Sequence, residues 1–163
     1  MKHLLFIACL LSSPTLAADI IPIKLGMNKI DINSDGETEY VLKTWRENHN
    51  AHGFYTYQFA DKDWNTITIG RNRTKTLVTS AQGADCVTQD YFIIKGIGLV
   101  KAYRDTKRGY GAKENVWITT LYLAQNTNEK PGLPKQFFNP IVDWVSKSKH
   151  CDVIDGLLEI LAQ

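Results

Sequence analysis

Residues 53–60 place Phe54, Thr56 and Gln58 on one side of an extended chain and Tyr55, Tyr57 and Phe59 on the other. A period of two this rich in aromatic residues is stable only as a strand in a sheet with a covered face. Such a strand needs neighbours, and the sequence supplies them at short intervals. Residues 21–25, 38–46, 65–70, 74–80, 91–95, 99–104 and 116–125 all read as strands. Gly96-Ile97-Gly98 reads as a hairpin tip, Asp61-Lys62-Asp63 as a turn, and residues 82–85 and 105–115 as loops. Only the end of the chain changes period. Val153, Ile154, Leu157, Leu158 and Leu161 recur at helical spacing behind Asp152, a capping residue, with Asp155 in the first turn. Gly156 weakens that helix on propensity alone. Pro131, Pro134 and Pro140 mark an irregular stretch, after which Ile141, Val142, Trp144 and Val145 suggest a short helical turn. The expected fold is mainly β (α+β): one domain, residues 18–163, with a curved or sandwich-like antiparallel sheet and a C-terminal helix.

The loop ahead of residues 38–46 has unusual chemistry. Asp31, Asn33 and Asp35 alternate so that their oxygens can converge, and Gly36 permits a sharp turn with φ > 0. Glu37, through its carbonyl, and Glu39, through water, complete the first nine positions of a calcium loop. Leu42 stands where an EF-hand has its bidentate glutamate, and strands flank the loop, so an EF-hand is excluded. Two readings remain. One is a weak structural Ca2+ site of the kind found between strands in extracellular proteins, and no other cofactor is expected. The other is a β-turn in which Asn33 and Asp35 cap the backbone.

The amino terminus addresses the chain for export. Met1-Lys2-His3 is basic, Leu4 to Leu11 is apolar but too short to span a bilayer, and Thr15-Leu16-Ala17 suits signal peptidase. Cleavage after Ala17 leaves about 146 residues in the periplasm. Cys9 in Phe6-Ile7-Ala8-Cys9 offers a lipoprotein alternative, weakened by its short apolar lead. The formal charge of +2 falls to about +1 with Lys2 removed, so nothing marks a nucleic-acid binder. No later apolar run predicts stable membrane insertion. Cys86 and Cys151 remain, an even number in an oxidising compartment. Paired, they close a loop of roughly 66 residues, worth on the order of 4 kcal/mol in the chain-entropy model, and they tie the C-terminal helix to the middle of the domain. Unpaired, they are two buried thiols.

Two loops carry candidate contact residues. Arg46, Asn48, His49, Asn50 and His52 form a polar knot between two strands. His49 and His52 lack a third zinc ligand at a recognisable spacing, and no serine or cysteine has the context of a nucleophile. The knot therefore reads as a polar contact site or as a turn satisfying its own backbone. Residues 104–113 are basic and glycine-rich, so Arg104 or Arg108 can meet a carboxylate and Tyr110 can supply an aromatic contact; a solvated hairpin tip is the plainer reading. Trp45, Trp64, Trp117 and Trp144 read first as core.

Several of these pieces, in order, resemble the CarG-type carbapenem intrinsic-resistance (self-resistance) proteins. The likeness rests on Asp31-Ile-Asn33-Ser-Asp35-Gly36, on Arg46-Glu-Asn48-His49-Asn50-Ala51-His52 leading into Phe54-Tyr55-Thr56-Tyr57, on Gly83-Ala-Asp85-Cys86, and on Cys151-Asp152-Val153. The loop at Gly109-Tyr110-Gly111-Ala112 departs from the family pattern, which is more acidic there. The resemblance implies a periplasmic, non-hydrolytic protein that protects against a β-lactam, a small anionic ligand, with a periplasmic partner protein as its other contact. No serine stands in a β-lactamase context and no zinc set is convincing, which agrees with it. The expected function is thus non-enzymatic binding or protection. The alternative is a periplasmic inhibitor of a hydrolase of protease or lysozyme type, and an enzyme using His49 or His52 ranks last.

Overall fold

The strand expected at residues 53–60 is β4 (Phe54–Ala60), and it lies inside one half of a curled sheet. The computed structural model describes residues 19–48, 52–70, 74–127 and 133–163. The expected leader, with its cleavage point at Ala17 and Cys9, lies outside the described residues. β4 pairs with β3 (Glu39–Arg46), which pairs with β2 (Gly26–Ile30); β5 (Thr66–Ile69) and the short β6 (Val78–Thr79) pair with β4 as well. The other half contains β8 (Cys86–Ile94), β9 (Gly98–Arg104), β10 (Glu114–Gln125) and β11 (Gln136–His150) in that order. β1 (Ile20–Ile21) and β7 (Ala81–Gly83) pair with β8. The helix α1 (Val153–Leu161) follows.

The two halves are one sheet because β5 is shared. It pairs with β4 on one side and, in parallel, with β11 on the other, at Phe137↔Thr68 and Phe138↔Ile69. Every other described strand pairing is antiparallel. The expected antiparallel sheet is corrected at this one place, and a curled open half-barrel replaces the sandwich-like option. Curling brings Val41, Tyr57 and Phe59 from one half against Tyr91, Ile93, Leu99 and Phe138 from the other, forming the main core. Phe59 meets Phe138 edge-on at 5.2 Å between ring centroids.

The convex side of β8–β10 carries a second cluster. Val100, Ala102, Val116 and Ile118 pack against Val153 and Leu157 of α1. Asp152 caps the helix as expected, accepting from the Ile154 amide at 3.1 Å. Gly156 has a packing role. A Cβ there would stand 2.4 Å from the Val116 side chain, so only glycine lets α1 lie this close to β10.

Three expectations need correction. Of the first strand, expected over residues 21–25, only Ile21 is extended into a strand, β1, and β2 was not anticipated. Of the proline-punctured stretch, Pro140 lies within β11, as does the helical turn expected at Ile141–Val145, while Pro134 precedes the strand and Pro131 lies outside the described residues. Pro140 lies opposite Leu121 and Val142 opposite Thr120, so Ile141 is the extra residue of a β-bulge. A bulge accepts proline and breaks the two-residue period, which is why Ile141, Val142, Trp144 and Val145 imitate helical spacing. The tryptophans are not core either. Trp45, Trp64, Trp117 and Trp144 are 42–60% exposed. Trp64 stacks flat on Tyr40 at 4.0 Å, and Trp45 meets Tyr55 edge-on.

Candidate functional site

A cleft of ≈ 560 Å³ opens where the loop between β3 and β4 approaches β6, β7 and the loop after β9. Asn48, His52 and Phe54 form one wall. Thr79, Ser80 and Gln82 form the second, and Tyr110 closes the third. The sequence keeps these groups more than fifty positions apart at the extremes; the curl of the sheet brings them together.

Each wall is fixed from behind. Across β4, the Tyr55 amide donates to Ser80 Oγ and the Ser80 amide to the Tyr55 carbonyl, both at 2.8 Å. Gln89 Nε2 donates to the Thr79 carbonyl at 2.7 Å, and Thr88 Oγ1 to the Ala81 carbonyl at 3.1 Å. Ala84 and Asp85 both adopt positive φ, 49° and 63°, which makes the tight turn from β7 into β8. Gly83 is needed beneath the Tyr110 ring, since a Cβ would lie 2.8 Å from it.

The third wall depends on Arg104. The side chain is buried, and Nε donates to the Cys151 carbonyl while the two terminal nitrogens donate to the carbonyls of Asp105 and Tyr110. Burial pulls the guanidinium below its ordinary range, with Asp152 and Glu114 opposing the shift. Arg104 thus binds the Tyr110 loop to the residue that carries the disulfide. It does not line the cleft, and the expectation that it meets a ligand carboxylate gives way to a positioning role. Arg108 is likewise turned away, paired with Glu114. The Cys86–Cys151 disulfide is formed, with Cα atoms 5.6 Å apart. It holds the start of β8, which carries one cleft wall, to the end of β11.

Of the other expected contact residues, Arg46 ends β3 exposed, outside the cleft lining, and His49 and Asn50 lie outside the described residues. Thr79, Ser80 and Gln82 were missed. The nearest signal was Gly83-Ala-Asp85-Cys86, which marked the adjoining turn but not the strand residues before it. Among the described lining residues none is Asp, Glu, Lys or Arg. What the cleft offers is amide, hydroxyl and imidazole hydrogen bonding beside two aromatic rings.

The acidic loop lies elsewhere and is organised around its own backbone. Asp31 accepts from the amides of Asp35 at 3.1 Å and Gly36 at 2.9 Å, and Asp35 accepts from the Glu37 amide at 2.8 Å. Asn33 Nδ2 donates to Asp35 Oδ2 at 2.8 Å. Ser34 as well as Gly36 takes positive φ. Glu37 pairs with Lys62, and buried Glu39 accepts from the Ile32 amide at 2.9 Å. Burial pushes the Glu39 carboxyl up, and that same amide opposes the shift. Among the described residues no group of three or more His, Cys, Asp or Glu side chains is placed to hold a metal ion.

No family model matches the chain, and no curated protein matches it in sequence. The crystal structure of CarG does match in three dimensions, with a TM-score of 0.72 over 86% of this chain and 94% of that one, at 19% identity. The chain has a CarG-like fold.

Proposed function

We propose that this is an exported, non-enzymatic binding protein of the periplasm that protects against a carbapenem-type β-lactam by holding it in the cleft between Asn48, His52, Gln82 and Tyr110. The observation that carries this reading is the convergence of polar and aromatic groups from three separate segments on one cleft, of a volume suited to a small molecule. The fold shared with CarG and the sequence resemblance both support it. Neutral donors recognise the ligand's carbonyl and carboxylate oxygens, and Tyr110 covers its ring.

The test is expression of the full chain in a carbapenem-sensitive Gram-negative host, together with calorimetry of the mature protein. Raised tolerance and measurable binding are expected, and Tyr110→Ala should weaken binding about tenfold through loss of aromatic contact. Unchanged tolerance together with no heat of binding refutes the proposal. The hydrolase-inhibitor reading draws support from the exposed Trp117, Trp144 and Tyr122, residue types that anchor protein interfaces. Its sign would be a single hydrolase recovered from periplasmic extract and antagonised by the pure protein.

A further inference from the structure

A second cavity, of ≈ 320 Å³, lies at the mouth of the curled sheet, where β5 and β6 face β8–β10. Its floor is apolar, made by Ile69, Val78 and Leu121, and its polar side chains are those of Thr74, Lys75, Lys101 and Tyr91. We propose that this cavity binds a small organic carboxylate with an apolar body, the carboxylate set between the Lys75 and Lys101 ammonium groups and the body laid on Ile69, Val78 and Leu121.

Three observations carry the assignment. The first is charge without compensation. Among the described residues no carboxylate lies within 4 Å of either ammonium, although the other ion pairs are formed at the surface. The three residues that join Gly70 to Thr74 are Arg71-Asn72-Arg73, which also contain no carboxylate.

The second is fixed placement. Lys101 stands directly across from Tyr91 in the β8–β9 ladder and rests its ammonium 4.5 Å from the Tyr103 ring centroid. Lys75 is held at its backbone, where the Ile69 amide donates to the Lys75 carbonyl at 2.8 Å. The third is the cost of this arrangement. Burial first, and the neighbouring Lys75 second, hold the Lys101 ammonium below the usual lysine range. Burial and Asp90 push the Tyr91 phenol up to about 12, so near neutral pH it remains a donor. A carboxylate relieves the repulsion between the two lysines and accepts from both. A neutral ligand relieves nothing.

The experiment is a titration of the isotope-labelled mature protein with sodium octanoate, followed by amide chemical shifts, with 1-octanol as the uncharged control. Octanoate should move the amides of Ile69, Tyr91 and Leu121 more than those around His52, and 1-octanol should bind at least about tenfold more weakly. Lys101→Met should weaken octanoate about tenfold and Lys101→Arg much less. Lys75→Met supplies the same readout if Lys101→Met fails to fold. Equal binding of octanoate and 1-octanol, unchanged affinity in folded Lys101→Met, or shifts mapping to another face would each overturn the assignment. None of these outcomes depends on carbapenem, so this site and the cleft at Tyr110 stand or fall separately.

Discussion

Single atoms decide several features of this molecule. Gly156 looks like a defect in α1, because alanine there would favour an isolated helix by about 1 kcal/mol. The Val116 contact at 2.4 Å reverses that sign. Gly156→Ala should destabilise the fold by about 1–3 kcal/mol, read as a lower urea midpoint with unchanged slope. Tyr57 makes a similar point about polarity. Its ring is 1% exposed and its hydroxyl donates to Asp90 Oδ1 at 2.6 Å. Tyr57→Phe keeps the ring in the core but removes a donor from a carboxylate that burial already pushes up. A loss of about 1–3 kcal/mol is expected in the same assay. The alternation of residues 53–60 placed Tyr57 on one face with Tyr55 and Phe59; it held no sign of Asp90, which is 33 positions away.

The elements are fastened at their ends. α1 is tied to the end of β11 through Glu159, whose carboxylate accepts from the Lys147 and Ser148 amides and meets His150 Nε2 at 2.7 Å. These partners, His150 first, hold the Glu159 carboxyl down to about 2 from its ordinary 4.5. A lowered folded-state value means that the unfolded chain binds the proton more readily. The stabilisation is therefore complete above about pH 4.5 and is lost as the pH falls towards 2. Glu159→Gln should accordingly be less stable than the parent at neutral pH, with the difference shrinking across that acid window in thermal melts. The acidic loop fastens β2 to β3 in the same manner, from side chain to backbone. Asp31→Ala leaves the Gly36 amide without its acceptor and the Asp35 amide with only Asn33 Oδ1 at 3.3 Å, and should cost about 1–2 kcal/mol. A turn of this kind gives no heat and no thermal shift with millimolar calcium, whereas a calcium site gives both.

Across the whole molecule, the longest covalent constraint is the bridge between Cys86 and Cys151, 65 positions apart. Replacing both with serine should lower stability by about 3–4 kcal/mol and loosen the Tyr110 wall, so ligand affinity should fall together with the melting temperature. The sequence by itself determined the β character, the capped terminal helix and the hairpin that pairs β8 with β9. Those features follow from side-chain period, turn residues and caps, all local signals. It also marked Asn48, His52 and Tyr110 without relating them to one another. Tertiary structure alone decided that β11 runs through Pro140, that it meets β5 in parallel, that Arg104 faces inward to carbonyls, and that the tryptophans lie outside. Each of these depends on partners far along the chain: a bulge erases the period of two, and the curl chooses which faces are covered. A chain can show locally that a residue prefers a strand; only the curled sheet decides what that strand faces.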